Sequence, residues 1–359
     1  MKHIRTAIIG AGQAGLAMSR CLSDRSIAHV VIERGEVANA WRTERWDSLR
    51  LLTPNWQSRL PGYRYTGTDP DGYMSVPEVA GFLSHYAQTF DAPIEIRTTV
   101  LSVSREDTGY RVTTDRGDWT CDNIVLASGA CNISHVPEFA SELPAHIRQL
   151  TPLSYRNHSQ LKDGGVLIVG ASATGVQLAL EMRTSGFDVM LSAGEHIRMP
   201  RHYRGRDIQW WMEEAGIHGT TVEEIDDVER ARRVPSLQLV GSQQFELLDI
   251  NALQRLGIEV TGRLAGIRER KAWFSGSLAN NCRLSDLKMN RLLDGLDGWA
   301  KTRGMTGLPA PYRFAPTEIP DMPRLSQNLF DGRIQNIVWA TGFRPDYSWL
   351  RLPVFNARG

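Results

Sequence analysis

Thr6-Ala-Ile-Ile-Gly10-Ala-Gly12-Gln13-Ala14-Gly15 is the stretch that decides the fold. Its first four residues read as a short apolar strand, and the glycine run follows without a spacer. Leu16, Ala17 and Leu22 then recur at helical spacing, and a second strand is expected over His29 to Ile32, ending on Glu33. Each residue type has a physical task in a strand–loop–helix that cradles a dinucleotide. Gly10 permits the tight turn, Gly12 lets backbone approach a pyrophosphate, and Gly15 lets the helix pack close to the strand. The helix start turns free N–H groups and the positive end of its dipole toward that pyrophosphate. Glu33 lies 18 residues beyond Gly15, near the spacing expected of an acid that binds ribose hydroxyls.

The arrangement recurs in mid-chain. Val166 to Val169 is an apolar strand, followed by Gly170-Ala-Ser172-Ala-Thr174-Gly175, a helix through Val176, Leu178, Ala179, Leu180 and Met182, and a strand at Val189 to Leu191. Ser172 replaces the middle glycine and offers a hydroxyl to the pyrophosphate. Eighteen residues past Gly175 stands Ala193, where the first unit has Glu33, and Arg198, Arg201, Arg204 and Arg206 follow. A 2′-phosphate needs positive charge and no facing carboxylate, so this pattern favours NADPH over NADH, with Arg198 and Arg201 as candidate ligands. The competing reading is a solvated, partly salt-bridged loop. Glu195, two residues past Ala193, weighs on the same side as that alternative. Two such units suggest that one holds a flavin and the other brings a nicotinamide to reduce it, and spacing does not say which is which.

The bulk numbers agree. The chain has 359 residues, enough for two domains of ordinary size. With 42% hydrophobic and 23% charged residues it reads as globular. Its 41 basic and 40 acidic residues give a net charge of +1 and no electrostatic reason for a nucleic-acid partner. No apolar run has bilayer length. The apolar run at the N-terminus stops at Ile9 on the glycine loop, so it is a strand and not a signal segment. Cys21, Cys121, Cys131 and Cys282 form no C-x-x-C pair and no metal-ligand spacing, which argues against a dithiol centre or a zinc site. The histidines are scattered, without an H-E-x-x-H or a nucleophile partner, so no metal and no catalytic residue is assigned. A cytoplasmic location is expected.

Over almost its whole length, from Ile4 to near Leu350, the chain resembles the flavin-containing monooxygenases, especially the short bacterial members. The resemblance rests on the two glycine motifs about 160 residues apart. It also rests on Trp41-Arg42, Ser48-Leu-Arg-Leu-Leu-Thr-Pro-Asn55, Leu60-Pro-Gly62 and Trp339-Ala-Thr341-Gly342-Phe343. It implies an α/β fold of two Rossmann-like domains with three-layer, parallel-sheet cores. An FAD domain over 1–158 and 330–359 would be interrupted by an NADPH domain over 159–329, itself carrying an insertion at about 200–320. The family's order puts FAD on the first motif, with Gly10, Gly12, Gln13, Ala14, Gly15, Glu33, Arg34, Trp41 and Arg42, Val100 at the adenine, and Ala127-Ser-Gly129. It puts NADPH on Gly170, Ser172, Thr174 and Gly175, with Thr341 and Gly342 passing beside both cofactors.

Departures from the family pattern are specific. In its F-x-G-x-x-x-H-x-x-x-[YF] signature, anchored on Tyr155, Ala145, Ile147 and Thr151 replace the first three residues. A G-G-x-W segment reads Ala38-Asn-Ala-Trp41, and the flavin-facing asparagine aligns with Leu52, with Asn55 near enough to substitute. The family continues for several dozen residues past its A-T-G segment, whereas this sequence ends at Gly359, which bears on whether FAD is retained. In the inserted stretch, Asp207 to Ala215 is expected to be a helix carrying Trp210 and Trp211, and Leu284, Leu287, Leu292, Leu296 and Trp299 the apolar face of another. Pro309 to Pro323 reads as a returning loop.

The chemistry implied is hydride transfer from NADPH to FAD, reaction with dioxygen through a peroxyflavin, and oxygen transfer to a small nitrogen or sulfur nucleophile. Uncoupled NADPH oxidation, a disulfide reductase, and a nucleotide-binding remnant or sensor that has lost FAD are the rivals. A homodimer is left open.

Overall fold

An unbroken apolar strand signals cover on both faces, and the N-terminal run is used in that way. The computed structural model describes residues 2–244 and 246–355, which form two units. The first takes the chain up to Leu49, then Asn55–His135, and again from Phe343. Its β1 (Lys2–Ile9) runs parallel to β2 (His29–Ile32) in the register Ile9↔Ile32, and β2 runs parallel to β3 (Ile94–Glu95). β4 (Val100–Arg105), β5 (Tyr110–Thr114) and β6 (Trp119–Leu126) form an antiparallel meander that joins β1 through a parallel β1–β6 pair. Strand Leu350–Arg351 lies parallel on the outer edge of β4. The parallel core expected from sequence is thus extended by hairpins. Their turns, through Gly109 (φ +82°) and Gly117 (φ +106°), are too short to hold a crossover helix.

Helix α1 (Gln13–Ser23) packs on this sheet through Leu16 and Ser19, whose hydroxyl is 2.8 Å from His29 Nε2. Helix α2 (Val76–Gln88) opens on a capping box of Ser75 and Glu78 and buries Val79, Leu83 and Tyr86.

The second unit holds residues 50–54 and 136–342. β7 (Arg148–Leu150), β8 (Gly165–Val169), β9 (Val189–Ala193), β10 (Glu259–Gly262) and β11 (Ile334–Trp339) form an all-parallel sheet in the order β7-β11-β8-β9-β10. Helix α3 (Ala173–Thr184) covers β8 and β9 with Val176, Leu178, Ala179 and Met182. The unit limits differ from the 158/159 and 329/330 breaks read from sequence, because β7 and β11 join the second sheet. Apolar Ile337, Val338 and Trp339 pair with β8, which would otherwise be left as an open edge.

The inserted stretch builds its own apolar cluster from α4 (Ile208–Glu214), α5 (Leu278–Thr302) and the loop before them, centred on Tyr203, Trp211, Met289 and Leu293. Trp211 is fully buried and donates to the Tyr203 carbonyl at 2.7 Å. The face of α5 read from sequence needs correction. Leu296 is buried, but Leu284 and Leu287 are exposed, and the buried stripe is Leu278, Cys282, Ser285, Met289, Leu293, Leu296 and Ala300. That stripe keeps the three-and-four spacing of a packed helix face, and the two exposed leucines fall beside it.

Glu259 on β10 pairs with Arg324 (2.6 Å) and Arg333 (2.7 Å). Burial alone would push its carboxyl up; the two guanidiniums outweigh that and hold it below the ordinary carboxylate value. A depressed folded-state value gives stability that is present above the unfolded value and lost as pH falls through the folded one. Glu259→Gln is therefore expected to cost up to about 1 kcal/mol near neutral pH. The cost should shrink between neutral pH and acid, as the pH falls through the folded-state value of this carboxyl. Denaturant unfolding of both proteins at the two pH values checks this, and a gap that persists in acid would refute it.

Candidate functional site

The two glycine loops sit at the carboxyl ends of the parallel strands, each in its own unit, where open α/β sheets bind ligands. In the first, Gly10 has φ +108° and donates to the Ile32 carbonyl at 2.9 Å. A Cβ on Gly10 would lie 2.5 Å from the Ala127 carbonyl oxygen, and one on Gly15 would lie 1.9 Å from that of Gly10. Both positions exclude any side chain. Around Gly12 a Cβ would meet nothing within 4 Å, so this bare backbone faces open space. Gly12 is also the N-cap of α1, which has no side-chain cap and no acid in its first turn. Its first-turn N–H groups, with Gln13 and Ala14 exposed beside them, have no intrahelical acceptor.

Glu33 is buried beside this loop. One carboxylate oxygen accepts from the Ala11 N–H at 2.8 Å and the other from the Gly35 N–H at 3.0 Å, which leaves lone pairs for further donors. Ala38, in the left-handed region at φ +61°, donates to the Ala11 carbonyl at 3.1 Å, so the Ala11 peptide is held from both sides. The short helix Asn39–Thr43 starts there, with Trp41 half-buried and the Arg45 guanidinium 5.5 Å from its ring. Arg34 pairs with Glu44, and Arg42 donates to the Val37 carbonyl (3.0 Å) and Ser84 (2.9 Å). These two arginines brace the loop. Thr98 donates to the Glu33 carbonyl at 2.8 Å, and half-buried Val100 opens β4 two residues later. Ala127 donates to Ile9 at 2.9 Å, and Gly129 (φ +82°) follows with open space around it.

The second loop repeats this geometry. Gly170 has φ +110° and donates to the Ser192 carbonyl at 2.9 Å. Added Cβ atoms on Gly170 and Gly175 would lie 2.3 Å from the Ala340 oxygen and 1.8 Å from the Gly170 oxygen. Ala340-Thr341-Gly342 therefore stands to this loop as Ala127-Ser-Gly129 does to the first, with Gly342 at φ +98° and also open. Ser172 is the N-cap of α3, but its hydroxyl does not cap the helix, and Thr174 is half-buried in the first turn. The register Val169↔Ser192 matches Ile9↔Ile32, which places Ala193 where the first unit has Glu33. Sequence reading missed Gln238, which no motif marks. It is 1% exposed and its amide donates to the Ala171 carbonyl at 2.7 Å, fixing the loop from the inserted stretch.

Three expectations are corrected. The Arg198 guanidinium is buried against Asp249 (2.6 Å), Asp286 (2.8 Å) and the Ala315 carbonyl (2.7 Å). Arg201 is buried against Asp207 (2.6 Å) and the Leu52 carbonyl (2.6 Å). Their charge is neutralised inside the fold, so neither is presented to a 2′-phosphate. Asn55 spends its side chain on backbone, donating to Asp69 (2.9 Å) and accepting from Met74 (2.8 Å), so it does not replace a flavin-facing amide. Tyr155, the surviving aromatic of the family signature, is buried and donates to Glu181 at 2.7 Å.

Among the described residues there is no group of three or more His, Cys, Asp or Glu that could hold a metal ion, and no helix long and apolar enough to cross a membrane. Burial pushes the Cys282 thiol up to about 12 and also raises that of Cys121, so neither is poised as a thiolate.

Comparison with known proteins agrees with this geometry. The "uncharacterized oxidoreductase CzcO-like" of Geobacillus kaustophilus is 30% identical across the whole chain, which covers 86% of it. The probable indole-3-pyruvate monooxygenase YUCCA9 of Arabidopsis thaliana is 28% identical over 55% of the chain and 49% of its own length. The flavin-containing monooxygenase of Stenotrophomonas maltophilia has the same fold, with a TM-score of 0.60 at 19% identity over 98% of this chain and 82% of that one. The sequence pattern of the pyridine nucleotide-disulphide oxidoreductases matches residues 7–230. Covering more than half of the sequence, that match joins the two repeated loops to a known group: the chain is an oxidoreductase of the pyridine nucleotide-disulphide oxidoreductase family.

Proposed function

We propose that the first unit holds FAD and the second NADPH, and that the chain is an NADPH-dependent flavoprotein monooxygenase. The observation that carries this is the pair of glycine-loop helices whose N-termini lack a side-chain cap, of which only the first is faced by a buried acid. The residues fit the groups. Gly12 leaves a bed that a Cβ would fill, Glu33 keeps lone pairs for ribose hydroxyls, and Ala193 removes the carboxylate that would repel a 2′-phosphate. When bound, FAD would take a hydride from NADPH and let dioxygen give one atom to a substrate and one to water. The chain's own part is to hold each pyrophosphate on a helix start and to keep the loops rigid through Glu33, Ala38 and Gln238.

A small molecule with a nucleophilic nitrogen or sulfur is the proposed substrate, and a cytoplasmic location goes with the four free cysteines. The family's dithiol chemistry is not assigned here, since no two cysteines are near neighbours in sequence. The test is a visible absorption spectrum of the purified chain, followed by NADPH in air. Roughly one FAD per chain that bleaches and recovers is expected. With a small amine or thioether added as acceptor, oxygen consumed without matching peroxide and with an oxygenated product marks the monooxygenase, and equimolar peroxide an oxidase. A colourless protein that takes up no FAD and consumes no NADPH overturns the proposal.

A further inference from the structure

With Arg198 and Arg201 paired in the interior, the two arginines that sequence offered as ligands do not present their charge to a 2′-phosphate. The neighbouring strand supplies that charge. β10 ends at Gly262, which stands opposite Ala193 in the sheet register, so the next residue, Arg263, lies beside Gly194. The aliphatic stem of Arg263 runs along that glycine: a Cβ on Gly194 would sit 3.4–3.6 Å from its Cγ, Cδ and Cβ. The backbone around Arg263 is fixed from below. The buried Ser192 hydroxyl donates to the Gly262 carbonyl (3.0 Å) and accepts from the Leu264 N–H (2.7 Å), while the Arg263 carbonyl accepts from Ser275 at 2.8 Å. One buried hydroxyl at the end of β9 therefore ties down both neighbours of Arg263.

The guanidinium itself is uncommitted. Arg263 is exposed, and among the described residues its side chain has no ion pair and no hydrogen bond. Arg198, Arg201 and Arg204 contrast with it, each held by at least one aspartate. A positioned stem with a free planar fork is what bidentate phosphate recognition needs, since little ordering is left to be done on binding. Glu195, exposed one residue beyond Gly194, is the nearby carboxylate that this charge has to outweigh.

We propose that Arg263 reads the 2′-phosphate of NADPH and sets the preference for NADPH over NADH, an inference that rests on the second unit being the nicotinamide site. The test measures equilibrium binding of NADP⁺ and NAD⁺ to the purified holoprotein by calorimetry, with adenosine 2′,5′-bisphosphate and 5′-AMP as competitors lacking the nicotinamide. Arg263→Ala is expected to weaken NADP⁺ and the bisphosphate about tenfold to hundredfold, the range for losing charge-assisted hydrogen bonds. NAD⁺ and 5′-AMP should stay within about twofold. Arg263→Lys keeps the charge without the fork and should fall between. Unchanged melting of both variants excludes a folding cause. If NADP⁺ and NAD⁺ weaken together, if neither weakens, or if the wild type prefers NAD⁺, Arg263 is not the reader. A wild type that binds neither dinucleotide overturns the nicotinamide reading of this unit, and the inference falls with it.

Discussion

Replacing Glu33 by alanine is expected to leave the purified chain nearly colourless. The side chain is 7% exposed and accepts from the Ala11 and Gly35 N–H groups, so the change removes the anchor of the glycine loop as well as a ribose partner. Each charge-assisted hydrogen bond lost is worth about 1.5–3 kcal/mol, which corresponds to a fall in FAD affinity of about tenfold to hundredfold or more. Flavin absorbance per chain after gel filtration gives the result directly. Glu33→Gln separates the two roles, because its amide oxygen can still accept from Ala11 while the charge is lost. Flavin retained at full stoichiometry in Glu33→Ala would remove this residue from the cofactor site.

The largest effect on stability is expected from Asp249→Ala. Asp249 and Arg198 are both almost fully buried, and the aspartate also accepts from the Ala252 N–H at 2.8 Å. Taking away one partner leaves a guanidinium charge in the interior with only Asp286 and a carbonyl to meet it, a change that typically costs about 3–5 kcal/mol. The denaturant midpoint should drop accordingly. Replacing Arg198 and Asp249 together with apolar residues of similar volume should restore much of the loss, since the pair itself contributes little beyond an apolar contact. A drop under about 1 kcal/mol for Asp249→Ala would mean that the pair is solvated in solution.

What sequence could reveal follows the range of the interactions involved. β1 and β8 are legible because apolar runs abut the glycine loops, β2 and β9 because apolar runs follow the helices after them, and Glu33 because its place is set by local spacing from Gly15. The fate of Arg198 was not legible, since its partners Asp249 and Asp286 lie 51 and 88 residues further on. The same holds for Asn55, whose acceptor and donor come from across a loop, and for Gln238, which carries no motif. Leu284 and Leu287 are apolar residue types that lie off the apolar face, since the packed stripe runs through Cys282 and Ser285. Arg263 carries no local signal in the sequence, because its position has meaning only once β9 and β10 are side by side.

The seat of β11 between β7 and β8 bears on how the chain is made. β8 ends at Val169 and its partner in the sheet ends at Trp339, so a middle strand is contributed by residues synthesised long after the strands on either side of it. At about 5–20 residues per second, the edge of β8 stays open on the ribosome for roughly 10–30 s. An exposed apolar strand edge of that duration is a site for mispairing with other nascent chains.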